Sequence, residues 1–222
     1  MSEAHGPLGL ADRRLYFCAP FRDDTERVVE AAIAGGVDIV QLRAKDRSDA
    51  EVAWLAERLA ERCRAQSVPF IVNDRPDIAA WVGADGVHLG QDDLPPPAAR
   101  RLLGTRAILG RSTHDIGQAD ESADEPVDYI SVGPVVPTPT KPGRPGIGPE
   151  PLRHAAAHVR RPWFVTGDVR PERVDDLVAA GARRFVVVRW IVQADDPEQA
   201  ASTLRRAIDD ALTRVGDDEH AS

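Results

Sequence analysis

Sulfur and aromatic rings are scarce in this chain. Its 222 residues include two cysteines and one methionine, and aromatic side chains make up 5% of it. Two cysteines build no disulfide framework at this length, so Cys18, in an apolar run, and Cys63, in a helical segment, read as buried reduced thiols. Positive charge is in deficit too: 28 Lys and Arg face 36 Asp and Glu, a formal net charge of -8. That argues against a sequence-independent nucleic-acid surface, which needs a basic footprint. An anionic ligand must instead be met by a local basic pocket. No stretch approaches a membrane span, and the N-terminus lacks the apolar segment of a secretion signal. A soluble cytoplasmic protein is the expectation. His88, inside a strand, and His114, just beyond one, have no histidine partner at ligand spacing, which argues against a transition-metal centre there. His88 reads as a hydrogen-bonded wall residue.

What is present is ordered. Apolar runs at 15–19, 38–42, 69–73, 86–89, 107–111, 128–133, 162–166 and 184–189 alternate with helical patterns. The clearest helix is 49–65, where Val52, Leu55, Leu59 and Cys63 recur at helical spacing. Ser48 and Glu51 form its capping box. A second pattern, 171–180, has Pro171 at its start and Gly181 after its end. The last helix starts at Asp196-Pro197 and carries Leu204, Ile208 and Leu212 on one face.

A weak repeat runs through AGGVDIVQL, VGADGVHLG, EPVDYISVG and AGARRFVVV. Each pairs a helix-ending turn with a strand, and they precede the second, fourth, sixth and eighth runs. Strands alternating with helices, repeated in quarters, predict an α/β fold, a single (β/α)8 TIM barrel, over an open doubly wound sheet. The expected barrel spans 14–213, with polar tails at 1–13 and 214–222.

Five polar clusters each follow an apolar run: QLRAK (41–45), VND (72–74), HLGQDD (88–93), GRSTHD (110–115) and VGPVVPTPTK (132–141). In a barrel, all five share the C-terminal face, where such folds build active sites. They pool Arg43, Lys45, Lys141 and several hydroxyls against Asp74 and Asp93. Cations with two separated carboxylates describe a site for phosphate and magnesium, since Mg2+ takes one or two carboxylates plus phosphate oxygens. The plainer reading of Asp74 and Asp93 is helix capping. Strand alternation puts Gln41, Arg43 and Lys45 on one side, Leu42 and Ala44 on the other. The segment 133–148 holds five prolines and four glycines and reads as a binding loop or lid, with Thr138, Thr140, Lys141 and Arg144 on it. At VTGDV (165–169), Gly167 lets a phosphate approach backbone N–H groups.

These motifs, in this order and spacing, resemble the thiamine phosphate synthase (thiamine-phosphate pyrophosphorylase) family. The likeness runs from about residue 14 to 213 and includes GADGVHLGQDDL (83–94). It implies a barrel enzyme, a transferase joining hydroxymethylpyrimidine diphosphate to hydroxyethylthiazole phosphate, with release of diphosphate. Carried over by position, Gln41, Leu42, Arg43, Ala44, Lys45, Asn73, Ser112 and Lys141 would bind the pyrimidine diphosphate. Ser112 and Lys141 would be catalytic. Asp74 and Asp93 would hold Mg2+. Thr138, Pro139, Thr140, Gly167, Val188 and Arg189 would bind the thiazole phosphate. The family reaction is dissociative: diphosphate leaves first, and the thiazole nitrogen captures the cation. No general base is then needed, because that nitrogen carries no proton.

Two positions depart from the family pattern. Asp168 stands where a second glycine is usual, and Arg189 where a serine is frequent. Asp168 is expected either to repel the substrate phosphate or to be neutralised by Arg170, Arg173 or Arg189. The competing reading is a thiazole tautomerase-like or regulatory paralogue of the same fold, which would need neither the carboxylates nor the diphosphate cations. A non-catalytic phosphate-binding barrel is a third. The implied partners are the two heterocycles, with no nucleic acid and no membrane. Oligomeric state is not legible.

Overall fold

The structure is a computed structural model that describes residues 9–10, 12–137 and 145–220, with side chains through 216. Its strands are β1 (Leu15–Pro20), β2 (Ile39–Arg43), β3 (Phe70–Asn73), β4 (Gly86–Leu89), β5 (Ile108–Thr113), β6 (Tyr129–Val132), β7 (Trp163–Val165) and β8 (Phe185–Val187). They are all parallel and close into a barrel in chain order, β8 pairing back onto β1. Helices α1 (Thr25–Ala34), α2 (Asp49–Ala65), α3 (Pro76–Val82), α4 (Pro96–Leu103), α5 (Ile116–Glu121), α6 (Glu150–His158), α7 (Val174–Ala179), α8 (Arg189–Val192) and α9 (Pro197–His220) alternate with them. The (β/α)8 expectation is met.

Period-two alternation sorts each strand's side chains between two cores. Leu15, Phe17, Val40, Leu42, Val72, Leu109 and Val132 face outward and pack under the helices. Tyr16, Ile39, Ile71, Ile108, Tyr129 and Phe164 face inward and fill the barrel as a packed layer. Two residues further along, the inward positions hold Cys18, Gln41, Asn73, Gly110, Ser131 and Thr166, and the site begins there.

The helices follow their sequence signals. Ser48 accepts from the Glu51 N–H, and the Glu51 carboxylate accepts from the Ser48 N–H, so α2 has its capping box. Val52, Leu55, Leu59 and Cys63 are all buried on its inner face. Burial pushes the Cys63 thiol up to about 12, so it stays protonated and unreactive. The pattern at 171–180 opens differently from expectation. Pro171–Arg173 is a 3-10 turn, closed by Arg173 N–H on the Arg170 carbonyl at 3.0 Å, and the α-helix begins at Val174.

Both tail expectations need correction where the residues are described. Leu10 is buried in the inner core layer, because the bottom of the barrel needs an apolar plug. At the other end α9 continues through His220, so 214–220 extend the helix. Residues 1–8, 11 and 221–222 lie outside the described set.

The repeated aspartates have a structural role. Asp38 accepts from the Arg14 and Leu15 N–H groups at 2.8 and 3.0 Å. Asp85 accepts from Phe70 at 2.8 Å and Asp128 from Leu109 at 2.7 Å. Each carboxylate therefore closes the base of the preceding odd strand, far from the C-terminal face. In Asp85→Ala the buried Phe70 N–H loses its acceptor, which costs about 1–3 kcal/mol. For a chain of this size we expect a Tm lower by about 2–12 °C. Asp85→Asn, which keeps an acceptor oxygen, should retain most of the stability, and both variants should keep wild-type kcat and KM.

Candidate active site

The C-terminal ends of the strands surround a cavity of about 290 Å³. Gln41, Arg43, Asn73, His88, Ser112 and Ser131 line one part of it. Thr166, Gly167, Asp168, Arg170, Val188 and Arg189 line another.

A hydrogen-bonded chain underlies this cavity. Cys18 Sγ donates to Gln41 Oε1 at 3.3 Å, and Gln41 Nε2 donates to Tyr16 Oη at 2.6 Å. Tyr16 Oη is 2.9 Å from Tyr129 Oη, which is 3.0 Å from His88 Nδ1. His88 Nε2 is 2.9 Å from Ser112 Oγ. Burial raises the pKa of both phenols, so both keep their protons. The amide nitrogen can only donate, so the Tyr16 hydrogen must turn to Tyr129. The Tyr129 hydrogen then goes to His88 Nδ1. The imidazole proton is left on Nε2, where it donates to Ser112. Ser112 accepts from the protein and keeps its own hydrogen for a ligand.

Gly110 makes room for that chain. A Cβ there would lie 2.1 Å from Tyr129 Cζ and 2.5 Å from His88 Nδ1. The glycine of GRSTHD is thus fixed by packing of the site, and its φ is not in the left-handed region.

Asp74 and Asp93 do not cap helices. α3 and α4 begin after Arg75 and Pro95, neither with a side-chain cap. Asp74 sits in the left-handed region at φ +63°, with its N–H on the His88 carbonyl at 2.8 Å. Its carboxylate meets Lys45 Nζ at 2.9 Å. Asp93 accepts from the Gly90 N–H at 2.7 Å. Burial, and then a hydrogen bond to Asp74, push the Asp93 carboxyl above the usual carboxylate range. Two carboxylates in that contact need a proton or a cation between them. Among the described residues no cluster of three or more His, Cys, Asp or Glu is placed to enclose a metal. Two carboxylates beside Lys45 suit Mg2+, which takes one or two carboxylates and completes its shell with water and other oxygens.

Sequence reasoning missed a second layer of support. Arg111 is buried, points away from the barrel interior, and donates to the Gly90 carbonyl at 2.6 Å and Gln91 Oε1 at 3.3 Å. Its Nε lies 3.5 Å from the Glu125 carboxylate. Gln91 Nε2 in turn donates to the Ser112 carbonyl at 2.6 Å. Arg111 therefore ties the Asp93 loop to the end of β5. An arginine inside an apolar run was the available signal. For the tyrosine pair it was the chain's only two tyrosines, both in strands.

The other expected residues divide clearly. Gln41, Arg43, Asn73, Ser112, Gly167, Val188 and Arg189 line the cavity. Lys45 stands at its carboxylate edge through Asp74. The side chains of Leu42 and Ala44 do not line it: they pack under the helices, as alternation requires. Thr138, Pro139, Thr140, Lys141 and Arg144 lie outside the described residues. Gly167, at φ +112°, is required by packing, since a Cβ would lie 2.4 Å from the Val135 nitrogen. Asp168 meets all three arginines that were candidates to neutralise it.

The sequence profile of thiamine monophosphate synthase matches residues 15–191. The chain belongs to the thiamine monophosphate synthase family. A thiamine-phosphate synthase of Thermus thermophilus is 51% identical over 187 residues, covering 84% of this chain and 88% of its own. One of Mycobacterium sp. strain JLS is 46% identical, covering 94% and 99%. Among solved structures, a thiamine phosphate pyrophosphorylase from Pyrococcus furiosus superposes with a TM-score of 0.83 at 28% identity, covering 90% and 96%. A 3-hexulose-6-phosphate synthase at 19% identity and TM-score 0.64 shares the fold. Membership in the thiamine monophosphate synthase family thus extends over nearly the whole barrel.

Proposed function

We propose that this chain condenses hydroxymethylpyrimidine diphosphate with hydroxyethylthiazole phosphate to give thiamine phosphate and diphosphate. The observation that carries the reading is the 51% identity with a thiamine-phosphate synthase across 84% of the chain. The chemistry needs two phosphorylated heterocycles side by side, and the polar clusters opening on one cavity suit that need. The C–O bond to diphosphate breaks first, and its electron pair leaves with the diphosphate. The thiazole nitrogen lone pair then forms the C–N bond.

Each group on this face has work in that sequence. Asp74 and Asp93 would hold Mg2+, which when bound neutralises charge on the departing diphosphate. Arg43 and Lys45 supply fixed positive charge to the same oxygens, and Lys141 is assigned there from sequence. Gln41 and Ser112 orient the pyrimidine, held by the chain through Tyr16, Tyr129 and His88. Asn73 completes that side. Leu42 and Ala44 contribute backbone only. Gly167, Val188 and Arg189, with the Thr138–Thr140 segment, hold the thiazole phosphate. We also propose a cytoplasmic location, where reduced Cys18 and Cys63 are at home. Among the described residues no helix is long and apolar enough to cross a membrane.

The direct test mixes both heterocycles with the protein, with Mg2+ and with excess chelator, and assays thiamine phosphate. Product is expected only with metal. Full activity in chelator would overturn the metal assignment, and no product under any condition would favour the binding-protein reading. Lys141→Ala should lower kcat by about 10²-fold and leave thiazole affinity near wild type, since a charge that acts on the leaving group is used in the transition state. Steady-state kinetics with each substrate varied separates the two.

A further inference from the structure

Asp168 is the only carboxylate among the described residues lining the cavity, and it is ringed by guanidinium groups. Arg189 Nη2 lies 2.9 Å from its Oδ1. Arg170 Nε and Arg173 Nη1 lie 3.3 and 3.6 Å from its Oδ2. Arg170 and Arg189 line the cavity as well. The Asp168 backbone is left-handed, at φ +55°, directly after Gly167 at φ +112°. An aspartate accepts that conformation more readily than most residues. Here it turns the carboxylate into the arginine cluster.

We propose that Asp168 is an exchangeable internal counter-ion that holds Arg189 and Arg170 at the cavity wall until a phosphate monoester takes them over. The inference rests on the proposed function, whose second substrate carries such a group. Three guanidinium groups against one carboxylate leave two positive charges in excess. A phosphate monoester carries close to two negative charges at neutral pH. A guanidinium fork matches phosphate oxygens in pairs, whereas Arg189 gives Asp168 a single short bond. The exchange is therefore favourable, but Asp168 opposes it by staying nearby as a like charge. The C-terminal face then has two unlike anion sites. The one beside Asp74 and Asp93 needs a cation to offset its carboxylates, and the one beside Asp168 does not.

Asp168→Asn tests this, because asparagine tolerates the left-handed backbone and removes only the charge. Its KM for thiazole phosphate should fall about fivefold, the effect of one screened like charge a few ångströms away. The inhibition constant of inorganic phosphate against thiazole phosphate should fall in parallel. KM for the pyrimidine diphosphate should not move. Arg189→Ala should weaken both thiazole phosphate and inorganic phosphate at least tenfold. Phosphate binding to the metal-free protein, measured by calorimetry, should follow the same order: Asp168→Asn tighter than wild type, and wild type tighter than Arg189→Ala. An unchanged or weaker phosphate affinity in Asp168→Asn, or an unchanged one in Arg189→Ala, overturns the proposal. Absence of thiamine phosphate from the wild-type reaction would overturn the functional reading alone, since the calorimetric order does not depend on turnover.

Discussion

Asp74→Asn and Asp93→Asn should each lower kcat by at least about 10²-fold while the protein stays folded. Asparagine caps helices about as well as aspartate, so a capping role would survive the change. Here neither residue caps α3 or α4, and the Asp74 carboxylate lies near enough to help raise the pKa of Asp93. Their contact is unfavourable, and Lys45 offsets it only in part. Asp93's raised pKa means that folding is penalised above that pKa and relieved as pH falls through it. Asp93→Asn removes the penalty at neutral pH, so its Tm should equal or exceed that of the wild type in chelator. The signature is lost turnover with retained or improved stability. Mn2+ titration followed by electron paramagnetic resonance reads metal binding without turnover, and each variant should bind at least tenfold more weakly. Wild-type Mn2+ affinity in both variants would remove Asp74 and Asp93 from the metal site.

Gly110→Ala is expected to have the largest effect away from the carboxylates. The added methyl would meet the Tyr129 ring carbon at 2.1 Å and the His88 ring nitrogen at 2.5 Å. Both side chains are buried, so the rings must move apart and the 3.0 Å bond between them breaks. Overpacking of this kind destabilises by about 1–3 kcal/mol. His88 then loses the acceptor role that fixes its proton on Nε2, and Ser112 loses its orientation. A misplaced donor at the reacting centre lowers kcat/KM by about 10²-fold. Tyr129→Phe separates the two effects, because it keeps the ring and removes only the hydroxyl. It should fold normally and lose about tenfold in kcat/KM for the pyrimidine diphosphate. Nitrogen chemical shifts of His88 should report a change of tautomer in both variants. Wild-type kcat/KM in Tyr129→Phe would show that the chain is structural only.

Much of this molecule was legible in the residues. Apolar runs alternating with helical patterns fixed the strand order, because strands buried on both faces must be apolar and their crossovers must be helices. The capping box of α2 and its buried stripe are local features, set within four residues along the chain. The polar clusters at strand ends placed the site on the C-terminal face, since parallel closure brings those ends together. Alternation along β2 already divided Gln41 and Arg43 from Leu42 and Ala44.

Contacts between distant segments were not legible. The Tyr16–Tyr129 bond joins residues 113 positions apart, and no local pattern encodes it. The repeat gave the positions of Asp38, Asp85 and Asp128 but not their task, which depends on where the preceding odd strand begins. The meeting of Asp74 and Asp93, the reach of Arg111 to Gly90, and the three arginines around Asp168 depend on strand register. A sequence states which charges exist, and only closure of the barrel sets the distances between them. Coulomb energy and hydrogen bonding vary steeply over those few ångströms, so the tertiary structure decided which charges became partners.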